Sequence, residues 1–186
     1  MGLKALVLSF APAMPDLPGF VAKEADAADA LADAYRGDFV LLLLGSADEP
    51  YLSWRVEAQK ILLENGYEAH VMETYASGPK GELLAQKWER LLGAERPTHF
   101  FIVVPKADPL RGPHVEFGYL MREYGIKELL DRVRFFLETG TDESKALAGY
   151  EAELIGLVGL DWFKDPTQLA RRMARRVDNI LYGLKR

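Results

Sequence analysis

The sequence predicts an α/β fold built on a doubly wound, mostly parallel, five-stranded sheet. Short apolar segments alternate with longer amphipathic segments from residue 38 onward, a pattern typical of strands joined by crossover helices. Such crossovers are right-handed and leave helices on both faces of the sheet. The chain of 186 residues is long enough to bury one α/β core and short for two.

An extra N-terminal segment, residues 1–37, precedes this alternation, and residues 38–186 form the predicted main domain. Residues 4–10 fit either a short strand or a buried turn of helix. Residues 20–35 are rich in Ala and Asp with apolar side chains at helical spacing, so they predict a helix. Its small side chains favour close packing on the main domain or on a second subunit, which makes a homodimer a hypothesis.

The first half of the main domain contains two predicted strand–helix units, at residues 39–44 and 52–65 and then at residues 67–72 and 82–92. The first strand is wholly apolar. Gly66 follows the first helix, residues 52–65, and is suited to ending it. That helix offers four apolar side chains for burial: Trp54, Val56, Ile61 and Leu62.

The second half continues the alternation with a third strand at residues 100–104 and its helix at residues 113–124. The remaining predicted elements are a fourth strand at 133–137, a short helix at 144–150, a fifth strand at 153–160 and a closing helix at 165–184. Pro166 fits the first turn of that last helix.

Five strands connected in this way give the flavodoxin-like order 2-1-3-4-5, whose topological switch lies between the first and third strands. Ligands of such sheets bind at the carboxyl ends of the strands beside the switch. The loops there are rich in small and charged residues. We therefore expect one site to bring together Gly45, Ser46, Asp48, Asp108, His114 and Glu116.

Glu116 is the candidate functional carboxylate of this site. It lies near the start of the helix that follows the third strand and flanks the apolar stripe of that helix. An acid near a helix N-terminus also complements the helix dipole, which is the structural alternative. Gly118 costs helix stability and therefore indicates close packing or a bound group nearby.

The segment FFIVVPKADPLRGPHVEFGYL, a strand, an Asp-containing loop and then E-x-G-Y on a helix, resembles the nucleoside 2-deoxyribosyltransferase family. It is also similar to the Toll/interleukin-receptor-like nucleotide-binding domains. The resemblance implies that Glu116 attacks or electrostatically supports the anomeric carbon of a ribosyl group while a base or nicotinamide departs. It also implies that Gly45 and Ser46 line the sugar or phosphate pocket. The residues Gly112, Pro113 and His114 stand where the deoxyribosyltransferases have Gly-Thr, and we expect Gly112 to contact the substrate.

The other polar residues near Glu116 suit supporting roles in such chemistry. Asp108 is available to bind sugar hydroxyls, and His114 to assist the leaving group or hold phosphate. The loop after the second strand offers backbone N–H groups, with Ser77 and Lys80 as substrate contacts. A solvated loop is the structural alternative for that stretch.

The sequence therefore predicts a protein that hydrolyses or transfers at the N-glycosidic bond of a nucleoside, nucleotide or NAD. The first alternative is a non-catalytic nucleotide-binding or interaction module that uses the same cleft. A flavodoxin-like partner-binding protein with a vestigial pocket is the second alternative, and burial of Glu116 in an ion pair would favour it.

Composition excludes several other classes. Cysteine is absent, so disulfides, thiolate catalysis and cysteine-ligated zinc are excluded. No metal-ligand spacing, Walker loop or dinucleotide fingerprint occurs, so we expect no metal and no cofactor. A net charge of −5 argues against a nucleic-acid partner, and no apolar run is long enough for a membrane span.

Three further expectations rest on composition and on charge spacing. With no cleavage pattern after the apolar N-terminal run, we expect a cytoplasmic protein. Few Asn and Gln beside abundant Glu, Arg and Leu favour a thermophilic source. The arginines of the closing helix share one side of it, which favours a solvated helix face: Arg171, Arg172, Arg175 and Arg176.

Overall fold

The computed structural model describes residues 39–74, 82, 84–91, 97–107, 112–142 and 159–182. Within these ranges the chain alternates strands and helices, as the sequence predicts. The elements in chain order are β1 (Val40–Gly45), α1 (Tyr51–Glu64), β2 (Glu68–Val71), α2 (Leu84–Arg90), β3 (His99–Val104), α3 (Gly112–Arg132), β4 (Val133–Glu138), β5 (Gly159–Phe163) and α4 (Pro166–Leu181).

The five strands form one sheet in the order β2-β1-β3-β4-β5, and every neighbouring pair is parallel. This confirms the predicted doubly wound α/β fold and its strand order. The chain leaves β1 toward β2 on one side and returns to β3 on the other. The topological switch therefore lies between β1 and β3, where Gly45 pairs with Val103.

Helices cover both faces of the sheet, so the central strands are buried on both sides. In β1, Leu41 and Leu43 face a core cluster that includes α1 and α4, whereas Leu42 and Leu44 face α2 and α3. All four leucines are fully buried. Burial on both faces explains why β1 is a continuous apolar run without polar alternation.

The structure corrects two details of the predicted elements. In the described residues the fifth strand is Gly159–Phe163, so it continues three residues past its predicted end at residue 160, while residues 153–158 of the prediction lie outside the described residues. It lies at the edge of the sheet, where polar side chains are tolerated. Val56, predicted to be buried, is 42% exposed, and Arg55 takes the buried position instead.

The helix after β3 is interrupted at Gly125, whose φ of 72° and ψ of 161° are not helical. The predicted end of this helix at residue 124 therefore corresponds to a real break. Helical structure resumes beyond the break and reaches Arg132, directly before β4. The φ angle is one that glycine adopts without strain.

Several predicted features fall outside the described residues. These are the N-terminal segment with its helix and the short helix at residues 144–150. In the part of the chain that the structure describes, every helix is too short or too polar to cross a membrane.

Candidate functional site

The switch between β1 and β3 is shaped by Gly45, the last residue of β1. Its φ is +140°, and a Cβ atom built on it would lie 2.6 Å from the carbonyl oxygen of Val103. A side chain at this position would therefore collide with the neighbouring strand. The backbone of Gly45 is left bare at the carboxyl edge of the sheet, where it faces Glu116 and lowers the pKa of that carboxyl group.

Glu116 is buried beside this edge, with 8% of its surface exposed. Burial raises the pKa of its carboxyl group from 4.5 to about 8. The nearby Arg55 opposes the shift, the Glu73 carboxylate adds to it, and the Gly45 backbone opposes it. Its Oε2 atom has no hydrogen-bond partner among the described residues. The free protein thus holds a mostly protonated carboxyl group here at neutral pH.

The helix-dipole alternative fits this geometry poorly. The first turn of α3 carries no acidic residue, and Glu116 comes after it. The dipole effect falls off within the first turn and acts on exposed or partly exposed charges. A buried carboxyl group whose pKa is raised gains little from the helix dipole. The presence of Glu116 at this position therefore needs another explanation.

Arg55 of α1 is fully buried, pairs with the Glu73 carboxylate and lowers the pKa of Glu116 through its charge. Its Nη1 donates to the Leu43 carbonyl oxygen (3.3 Å), and its Nη2 donates to the Ser46 carbonyl oxygen (2.6 Å). Both nitrogens also donate to the Glu73 carboxylate, at 2.8 and 2.5 Å. One guanidinium group thereby ties α1 to the end of β1, to the loop after it and to the end of β2.

Glu73 and Arg55 were not predicted as site residues. Glu73 follows β2 at its carboxyl end, and its side chain is 26% exposed. A signal for Arg55 did exist in the sequence. It lies on the same helical stripe as Ala58 and Leu62, both fully buried, and an arginine on an apolar stripe requires a buried partner.

A second polar network borders the site at the end of β4. The Tyr51 hydroxyl donates to Glu138 Oε2 (2.9 Å), and the backbone N–H of Lys106 donates to the same oxygen (2.8 Å). Burial, together with the Glu138 carboxylate, raises the pKa of Tyr51. Carboxylates thus line the carboxyl ends of β2 and β4 on either side of Glu116.

The structure places the other described candidates as follows. The Ser46 hydroxyl accepts from the backbone N–H of Asp48 (3.2 Å), and Asp48 itself is exposed. Gly112 begins α3, and His114 is half-buried in its first turn. Gly118 is exposed, and a Cβ built on it would meet nothing within 4 Å. Among the described residues, therefore, nothing packs closely against Gly118.

The remaining candidates, Asp108, Ser77 and Lys80, lie outside the described residues. The loops that carry them follow β3 and β2, the strands whose carboxyl ends border the site. Their predicted roles stay predictions.

The described arrangement combines one guanidinium group with two carboxyl groups at the carboxyl edge of β1, β2 and β3. Such a set suits hydrogen bonding to hydroxyl groups and electrostatic stabilisation of a cation. Across the described ranges, His, Asp and Glu side chains form no group of three that could hold a metal ion. A comparison with protein-family models and with curated proteins finds no match to the chain.

Proposed function

We propose that the protein hydrolyses or transfers at the N-glycosidic bond of a nucleoside, nucleotide or NAD, with Glu116 as the reacting or stabilising carboxylate. One observation carries the proposal. Glu116 lies buried at the topological switch with one oxygen lacking a hydrogen-bond partner among the described residues. Buried polar atoms without partners are rare in native proteins and call for an explanation. A ligand group at the switch supplies one.

The chemistry of the bond fits such a carboxylate. When the bond between the anomeric carbon and the base nitrogen breaks, its electron pair leaves with the base. The sugar then carries oxocarbenium character, which a carboxylate stabilises or traps as an ester. Water or a second base attacks the same carbon and completes the hydrolysis or transfer. The ribose hydroxyls need acceptors nearby, and Glu73 is a partly exposed candidate.

The raised pKa of Glu116 bears on how this step proceeds. Only the ionised carboxylate attacks or stabilises a cation, and in the free protein it forms above a pH of about 8. A developing positive charge on the sugar favours the ionised form, because an opposite charge lowers the pKa of a carboxyl group. The carboxyl group therefore becomes negatively charged mainly when the sugar becomes positively charged. The site then binds the transition state more tightly than the substrate, which is what accelerates a reaction.

The decisive experiment is an assay of base release. The protein is incubated at a pH above 8 with ribonucleosides, deoxyribonucleosides, nucleoside monophosphates and NAD, with and without an acceptor base. The products are separated by liquid chromatography. We expect Glu116→Gln to slow base release by about a hundredfold or more, the usual scale for losing one stabilising group. A new nucleoside containing the acceptor base would show transfer, whereas free sugar or sugar phosphate would show hydrolysis.

Glu123→Gln is the matched control, because Glu123 is an exposed carboxylate on the same helix. It should keep wild-type activity. Thermal unfolding of both variants shows whether the fold is intact. Undiminished base release by a folded Glu116→Gln variant would remove Glu116 from the mechanism.

The second candidate is a non-catalytic nucleotide-binding module that uses the same edge of the sheet. The burial of Glu116 favours it, since 8% exposure leaves little of the carboxyl group open to a substrate. Calorimetry with the same panel separates the two candidates. Heat of binding without any base release selects the binding module, whereas turnover selects the enzyme.

A further inference from the structure

A concave basic surface lies between α4 and the edge strand β5, apart from the switch between β1 and β3. It encloses a cavity of about 420 Å³. Among the described residues, Arg171, Arg172, Arg175 and Arg176 line it together with Asp161 of β5 and two side-chain amides. We call it the arginine groove. Its helical residues recur at intervals of three and four, so they form one face of α4.

The positive charge of the arginine groove exceeds what Asp161 neutralises. Arg176 donates to Asp161 Oδ2 from Nε (3.1 Å) and from Nη2 (2.7 Å). Arg172 lies farther away, with Nη1 3.8 Å from Oδ1. Four guanidinium groups thus surround a single carboxylate. This concentration of positive charge stands out in a chain whose net charge is −5.

A fifth arginine reinforces the field of the groove from the sheet below. Arg134 of β4 lies against Gly159, where a Cβ would meet its Cδ at 2.5 Å. Burial lowers the pKa of Arg134, and the charge of Arg176 lowers it further. Arg134 and Arg176 therefore repel each other across a short distance. An anion in the groove would relieve that repulsion, which the carboxylates of Asp131 and Asp161 offset only in part.

A simple solvated helix face does not account for these features. The Arg176 side chain is only 15% exposed and is held by Asp161 in one orientation. Arg171 and Arg175 remain exposed beside it. The concave site thus has one guanidinium group held in place, that of Arg176, and two exposed ones, those of Arg171 and Arg175. A solvated helix face would leave all of its arginines extended into water.

We infer that the arginine groove binds the oligophosphate group of a small molecule. The planar guanidinium group matches phosphate oxygens in pairs, which makes arginine the preferred residue for such recognition. A cavity of this volume falls in the range of small-molecule sites. The inference stands independently of the proposed function, because it uses other residues on another surface.

Isothermal titration calorimetry with inorganic tripolyphosphate tests the inference. The test variant is Arg171→Gln/Arg175→Gln, which leaves the contacts of Arg172 and Arg176 with Asp161 in place. We expect wild-type binding that weakens with added salt, because salt screens exposed charges. The variant should bind at least about tenfold more weakly, the effect of losing one charge-assisted hydrogen bond or more.

The matched control is Lys60→Gln/Lys127→Gln, which removes two exposed positive charges from α1 and α3. It should bind tripolyphosphate like the wild type. A parallel titration with ATP distinguishes the source of the oligophosphate. If ATP and tripolyphosphate bind with equal affinity, the groove contacts the phosphates alone. If ATP binds more tightly, the groove also contacts the nucleoside.

Three results would overturn the inference. The first is no binding of tripolyphosphate or ATP by the wild type at low salt. The second is an equal loss of affinity in the test and control variants, which would reduce the effect to net charge. The third is binding of single-stranded or duplex nucleic acid through Arg171 and Arg175 without binding of either oligophosphate.

Discussion

The Arg55 guanidinium group holds the Glu73 carboxylate through two parallel hydrogen bonds, of 2.8 and 2.5 Å. Arg55 is fully buried, whereas the Glu73 side chain is 26% exposed. The pair links α1 to the carboxyl ends of β1 and β2. The positive charge of Arg55 lies near Glu116, but its hydrogen bonds go to Glu73. The charge of Arg55 therefore offsets only part of the effect of burial, which raises the pKa of Glu116 to about 8.

Replacing Arg55 by Met should destabilise the fold strongly. The substitution leaves Glu73 without its guanidinium partner and the Ser46 carbonyl oxygen without the Arg55 donor. The Leu43 carbonyl oxygen keeps only the Met72 N–H. Removing one member of a buried pair typically costs about 3–5 kcal/mol, and the partial exposure of Glu73 places the expected loss near the lower end. The free energy of unfolding in urea measures it.

Lys60→Met is the control on the same helix, because the Lys60 side chain is 76% exposed. Its stability should stay within about 0.5 kcal/mol of the wild type. If the two variants unfolded at the same urea concentration, Arg55 would have no structural role at the switch.

Replacing two glycines of the candidate site by alanine should change the stability of the protein in opposite directions. Gly45→Ala places a Cβ 2.6 Å from the Val103 carbonyl oxygen at a φ of +140°, so it should cost more than about 2 kcal/mol. Gly118→Ala meets nothing within 4 Å on a helix and should add up to about 1 kcal/mol. Thermal unfolding of both variants tests the pair, and a destabilised Gly118→Ala would contradict this structure of α3.

The sequence was sufficient for the sheet because its strands carry the signal in their own residues. A strand buried on both faces must be apolar throughout, as Leu41 to Leu44 are. The fifth strand was predicted to end too early for the same reason. Residues 153–160 are more apolar than Gly159–Phe163, but an edge strand tolerates Asp161, which contacts Arg176. Its position depends on a partner helix rather than on local composition.

The site was only partly predictable. Gly45 and Glu116 were named because strand order alone brings the end of β1 to the start of α3. Arg55 and Glu73 were not, because charged residues are almost never fully buried unless they are paired. Their pairing joins the crossover helix α1 to the residue just beyond the next strand, 18 residues along the chain, and no local pattern encodes it. The open space around Gly118 likewise follows only from how α3 is oriented.

Glu116 should make the protein less stable as the pH rises. Its pKa is about 8 in the folded protein and 4.5 in the ordinary reference state, so the native state binds more protons between these values. The stabilising effect of the protonated form is full below pH 4.5 and is lost as the pH rises through 8. The contribution of this residue changes by up to about 1.4 kcal/mol per pH unit.

Urea unfolding of the wild type and of Glu116→Gln at pH 5 and pH 8 isolates this contribution. Other groups titrate equally in both proteins, so the difference between them reports Glu116. We expect the variant to gain stability relative to the wild type at the higher pH. A difference that does not change with pH would mean that Glu116 is ionised throughout.

The central claim is that the ionised Glu116 carboxylate acts on a glycosidic bond at the switch. The pH dependence of kcat/KM for base release tests it most directly, because this ratio reports ionisations of the free enzyme. We predict a rise with pH that levels near a pH of about 8 and disappears with the activity in Glu116→Gln. A rate that falls through this pH range, or a Glu116→Gln variant with the wild-type profile, would contradict the account.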